Sequence, residues 1–187
     1  MNVTRFSPMR PESMTPEQKQ VADAIQSGPR QGLRGPFNAL LRSPELADRL
    51  QKVGEYVRFR SSLPARLNEL AILIVARRWT AQFEWYAHHQ FALKAGLDPA
   101  VAAAIAEGRR PDAMRDDETA IYAFCSELLE TTQVSDYTFD RLVRCVGERG
   151  AIDLIGTLGY YSLVSMVLNV DRYPLPDGIE PPLRALR

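Results

Sequence analysis

The chain has 187 residues, 45% of them hydrophobic and 25% charged, with 23 basic and 23 acidic side chains. That length suits one domain, which at this size buries about 70% of its unfolded surface and needs no covalent staples. The charge balance removes the footprint of a nucleic-acid binder, and two cysteines, Cys125 and Cys145, are too few for a disulfide framework.

Residues 1–14 hold Pro8 and Pro11 without hydrophobic periodicity and read as an extended lead-in. Its opening lacks the apolar core of a signal peptide. Thr15-Pro16-Glu17-Gln18 starts a helix: threonine caps, proline suits the first helical position and Gln18 reaches back. Gly28-Pro29 stops it. Gln31 to Pro36 is a glycine-punctuated loop, followed by a short apolar stretch from Phe37 to Leu41. Ser43-Pro44 opens a second long helix, with Leu46, Leu50, Val53 and Val57 on one stripe. The next starts at Ser61 to Pro64, and its segment Leu70 to Ala76 is apolar on all sides, which predicts burial.

A helix is predicted from Thr80 to Ala95, closed by Gly96, and Asp98-Pro99 starts a short alanine-rich one ending at Gly108. After the polar link Arg109 to Arg115, helices follow at 116–130, 135–146 and 148–168. Gly156 and Gly159 on the last of these suggest close contact with another helix or chain. Asp171 to Pro174 ends it. No segment alternates with period two, so the fold is read as all-α, one domain of about eight helices. Residues 1–34 form a lead-in and first helix, 35–178 the main helical domain, and 179–187 a tail. The longest apolar run, Leu70 to Ala76, is far too short to span a bilayer, so the expected setting is the cytoplasm, with no membrane partner and both thiols reduced.

The chemistry concentrates between Leu63 and Leu97. Glu69 stands beside an aliphatic run, where a carboxylate is costly unless paired. Arg66 is a candidate partner on the same face, and a helix-terminal ion pair is one reading of the two. On the following helix Ala81, Glu84, His88 and Ala92 share a face, so two small residues flank a carboxylate and an imidazole. Such a pair is suited to proton transfer near neutral pH, and an exposed salt-bridged pair is the competing reading. His89 is rotated by about 100° from His88 and belongs to a flank or interface. Tyr160, Tyr161 and the segment Asn169 to Asp171 can reach a site from the last helix, or simply pack and cap it. There is no HExxH pair, paired cysteines, calcium-type loop, phosphate loop or GxSxG elbow. A metal reading of Glu84, His88 and a third ligand has only weak support.

Arg66-Leu67-Asn68-Glu69-Leu70, then Glu84-Trp85-x-x-His88, then Ala95-Gly96-Leu97 resemble the core of the carboxymuconolactone decarboxylase family, and the stretch from Ile152 to Pro176 resembles its longer members. The likeness covers residues 35–178. It implies an all-α, homo-oligomeric, alkyl hydroperoxidase D-like fold. The hydroperoxidase members carry a glutamate, a Cys-x-x-Cys pair and a histidine. Glu69 and His88 match the first and last, but the cysteine positions fall on Ala81 and Glu84. Thiol peroxidase chemistry therefore loses both reactive groups.

What the resemblance implies is decarboxylation or proton transfer on a small carboxylated lactone or related acid, with no cofactor. His88 would donate the proton, Glu84 orient it, Glu69 assist, and Arg66, Ala81 and Tyr160 contribute to substrate binding. Two other functions stay open: a peroxidase-related protein using Cys125 or Cys145, and a non-catalytic helical oligomer that binds a small molecule.

Overall fold

A computed structural model describes residues 4–29 and 32–185. The start of the lead-in, Arg30 and Gln31 at the predicted loop, and the last two residues of the tail lie outside the described residues. The described residues contain no strand. They form eight α-helices in one domain: α1 (Pro16–Ser27), α2 (Phe37–Leu40), α3 (Pro44–Phe59), α4 (Ala65–Arg78), α5 (Gln82–Lys94), α6 (Pro99–Ala106), α7 (Asp116–Thr131) and α8 (Asp136–Asp171). A single 3-10 turn, Pro11–Ser13, interrupts the lead-in.

The local signals act as chemistry requires. Thr15 caps α1 by accepting from the Gln18 amide, while Gln18 Oε1 accepts from the Thr15 amide at 3.0 Å. Asp98 accepts from the Ala100 amide at 2.7 Å and starts α6 at Pro99. α8 is continuous in hydrogen bonding but breaks at Gly147, where φ is 71° and ψ 171°. That conformation is open to glycine and costly for other residues, which explains the two helices predicted on either side of it.

α4 is the central element. Every residue from Leu67 to Arg77 is buried, because α5, α6, α7 and α8 all pack on it. Asn68, in the first turn of α4, joins three helices. Its side chain donates to the Val57 carbonyl at the end of α3 (2.9 Å) and accepts from the Thr157 hydroxyl of α8 (3.0 Å). A buried amide with partners on both sides fixes the register of helices that apolar packing alone would leave free to slide.

α3 departs from the predicted stripe. Leu46 and Val53 are exposed, and Ala47, Gln51, Gly54 and Val57 are the buried residues. The small side chains face the bundle because close helix approach favours them over the wider apolar row. Gly156 of α8 lies on this contact, where a Cβ would stand 3.7 Å from Val57. Gly159 faces open space, so its predicted close approach does not occur within the chain.

α8 also corrects the reading of apolar runs. It contains a window of mean hydropathy 1.5, long and apolar enough by length and composition to cross a membrane. Within the fold 56% of that window is buried. The individual runs escape notice because glycine, serine and tyrosine separate them.

The two chain ends pack on the helical domain. The Phe6 amide donates to Asp171 Oδ1 at 2.8 Å, and Asn38 Oδ1 accepts from the Met9 amide at 2.8 Å. At the other end Leu183 is buried in the core, and Gln82 brackets its backbone with two hydrogen bonds of 2.7 and 3.0 Å. Arg77 donates to the Arg184 carbonyl at 2.9 Å. Leu183→Ala should therefore cost about 3 kcal/mol, the usual loss for a core leucine, read as a lower urea midpoint. An unchanged midpoint would show that the tail does not dock.

Candidate functional site

The site depends on how α4 turns into α5. Trp79, Thr80 and Ala81 make the corner, with the Ala81 amide donating to the Ala76 carbonyl at 2.8 Å. Thr80 has φ of 47°, an uncommon left-handed conformation for a β-branched residue. Its hydroxyl accepts from Arg77 at 3.0 Å, which helps to hold it there. So short a corner returns α5 antiparallel along α4 and brings His88 opposite Glu69.

His88 then lies between two carboxylates. Its Nδ1 is 2.7 Å from Glu69 Oε2, and its Nε2 is 3.1 Å from Glu84 Oε1, one turn earlier on α5. All three residues are buried. Burial by itself would lower the imidazole pKa. The hydrogen bond to Glu69, then that to Glu84, outweigh it and raise the pKa to about 9. At neutral pH the ring is therefore an imidazolium donating from both nitrogens. Tyr161 of α8 meets it edge-on, with ring centroids 5.0 Å apart, and Tyr160 in turn lies edge-on to Tyr161 at 5.2 Å.

Glu84, His88, Tyr160 and Tyr161 line a cleft of ≈ 680 Å³, a volume suited to a small organic molecule. Its walls are largely aromatic, with Phe37, Phe83, Tyr86, Phe91 and Tyr173 among them. Segments distant in sequence close its rim, Gly32 to Phe37 on one side and Tyr173 to Pro176 on the other. Gly35 has φ of 71°, and a Cβ there would meet the Phe83 ring at 3.4 Å, so glycine lets this loop turn against the aromatic wall. Glu69 sits behind His88 and does not line the cleft.

The other residues expected at the site are placed elsewhere. Arg66 does not face Glu69 or the cleft: its guanidinium pairs with Asp117 at 2.6 Å and with Glu118, both on α7. It was the nearest charge to Glu69 along α4, but two acids at the start of α7 compete for it and the fork geometry engages both. Ala81 is fully buried at the corner and does not line the cleft. His89 stacks on Trp85 at 5.9 Å, on the flank expected for it. Asn169 donates to the Trp79 carbonyl at 2.8 Å, and Asp171 holds the lead-in, so both are structural. Cys125 is buried among apolar groups, which push its thiol far above the usual range. Cys145 is exposed on α8, and neither cysteine lines the cleft. Among the described residues no group of three His, Cys, Asp or Glu side chains is arranged to hold a metal ion.

Sequence reasoning missed Arg58, which lines the cleft from the last turn of α3. No local signal marks it, since α3 meets α5 only through the folded bundle.

Because the His88 pKa is raised from 6.5, its stabilising effect is complete below pH 6.5 and is lost as pH rises through about 9. Stability should fall by about 3 kcal/mol across that window, measured by urea unfolding, and a His88→Asn chain should lack this slope. A flat profile in the native chain would contradict the paired imidazolium. In comparison with known proteins, no family model matches the chain and no curated protein matches it.

Proposed function

We propose that the protein is a cofactor-independent acid–base enzyme, similar to the carboxymuconolactone decarboxylases, acting on a small carboxylated lactone or a related activated acid. The observation that carries this reading is the continuous buried chain Glu69–His88–Glu84, of which His88 and Glu84 line an organic-sized cleft. A structural ion pair needs only one carboxylate. A second one on the opposite ring nitrogen, exposed to a cavity, is what a proton relay requires.

The chemistry follows from the arrangement. A proton moved from His88 Nε2 to Glu84 Oε1 turns a buried charged pair into two neutral groups, which the low-polarity surroundings tolerate well. Glu69 keeps the remaining Nδ1–H in place and so fixes the tautomer. The substrate loses carbon dioxide, and the electron pair of the broken carbon–carbon bond delocalises into the lactone carbonyl as a dienolate. Protonated Glu84 then delivers its proton to carbon, and the dienolate electrons form the new C–H bond. Solvent restores the proton to His88. The balance is one carboxylate and one proton consumed, one carbon dioxide released.

This assigns direct proton delivery to Glu84 and the supply of the proton to His88, a division that follows from Glu84 pairing with His88 Nε2 while itself lining the cleft. The same reading places the enzyme in the cytoplasm as a homo-oligomer. An outward stripe on α8, Ile152, Ile155, Met166 and Val170, supports assembly, since such a row is costly to leave in water.

Turnover on a panel of carboxylated lactones and β-oxo acids, followed by carbon dioxide release, is the direct test. Glu84→Gln and His88→Ala should each lower it by about 10²–10⁴-fold with the helical circular dichroism retained. An active His88→Ala enzyme would overturn the proposal. Replacing Cys125 and Cys145 together by serine should leave turnover unchanged, and hydroperoxide consumption that depends on either thiol would restore the peroxidase reading.

A further inference from the structure

Arg58 differs from Arg66 and Arg77, two other arginines drawn into the fold. Arg66 is neutralised by Asp117 and Glu118, and Arg77 gives its donors to two carbonyls and a hydroxyl. Arg58 lines the cleft, yet among the described residues no hydrogen bond or ion pair to a protein oxygen engages its guanidinium. Two phenyl rings hold it, with its central carbon 5.1 Å from the Phe59 centroid and 5.2 Å from that of Phe91. Both rings are exposed, a costly placement that makes sense if they frame the cation at a cleft mouth.

A second donor without a partner faces the same space. Tyr161 is 2% exposed and lines the cleft, but its hydroxyl makes no hydrogen bond within the described protein. A buried hydroxyl normally finds a partner in the protein, in ordered water or in a bound group. Burial first, and then the Glu84 charge, push its pKa well above the usual range, while Arg58 pulls it back. The hydroxyl therefore lies within the field of both the cation and the acid–base pair, and stays a neutral donor.

We propose that Arg58, assisted by the Tyr161 hydroxyl, is the residue that selects for a carboxylate in this cleft, and that the ligand is a flat aromatic or conjugated carboxylic acid. The guanidinium fork matches a carboxylate in shape and charge. The rings of Phe37, Phe83, Phe91 and Tyr160 offer apolar faces to a planar body. Glu84 repels the carboxylate from the reacting end, so the acid is held in one orientation, with its anionic group at Arg58 and its body extending toward Glu84 and His88. The proposal rests on the acid–base reading for the fate of the bound acid, but not for its capture.

The test is calorimetric titration of the full chain at pH 7 with benzoate and with its uncharged amide, benzamide. Benzoate should bind, and benzamide should bind at least about tenfold more weakly, the usual worth of a charge-assisted pair. Arg58→Gln should abolish that preference. Arg58→Lys should keep the preference at several-fold lower affinity, and guards against misfolding of the glutamine variant. Tyr161→Phe should weaken benzoate several-fold. Arg34→Gln, which alters the other arginine lining the cleft, should weaken benzoate less than Arg58→Gln does.

Failure of benzoate to bind, equal binding of acid and amide, or benzoate affinity that responds to Arg34 and not to Arg58 would each overturn the assignment. These outcomes are separable from the enzymatic reading. Unchanged benzoate affinity in Arg58→Gln removes only the anchor, whereas full turnover in Glu84→Gln removes only the proton relay.

Discussion

One buried cation shared by two carboxylates governs the functional half of this molecule. Charges withdrawn from water carry a large desolvation cost, which only close opposite charge and good hydrogen bonds offset. His88 meets both conditions, at 2.7 Å to Glu69 and 3.1 Å to Glu84. The pairing ties α5 to α4 beside the Tyr161 ring of α8. It also leaves a protonated ring beside a cleft at neutral pH, so the interaction that holds the helices together is the one that stores a transferable proton.

The remaining ionic clusters separate from this site in a consistent way. Arg66 links α4 to the start of α7, where Glu118 also caps the helix by accepting from the Arg115 amide at 2.8 Å. Asp153 of α8 accepts from the Ser62 amide and hydroxyl, both at 2.7 Å, and from the Tyr56 hydroxyl at 3.0 Å. Each such group is consumed by the scaffold. The Arg58 guanidinium and the Tyr161 hydroxyl, by contrast, line the cleft with donor capacity to spare.

The cleft is also a product of the chain ends. Its rim takes Gly32 to Phe37 from the loop before α2 and Tyr173 to Pro176 from the segment after α8. The lead-in is pinned to Asp171 at the end of α8, next to that second segment. Edge contact between Phe83 and Tyr173, with centroids 4.6 Å apart, joins the rim to α5. These segments thus shape the opening of the cleft, while Leu183 and Tyr173 also pack on the central core.

The sequence by itself determined the elements and the contact between Glu84 and His88. Caps at Thr15 and Asp98, stops at Gly28, Gly96 and Gly108, and the wholly apolar run in α4 are local signals whose energetics act within a few residues. Glu84 and His88 share a helical face, so their contact was legible from spacing. Tertiary structure alone decided that Glu69 turns to His88 and not to Arg66, that small residues of α3 face inward, and that Arg58 reaches the cleft. Those outcomes depend on which of several competing partners lies closest once helices far apart in sequence are packed, and that competition is settled by the whole bundle.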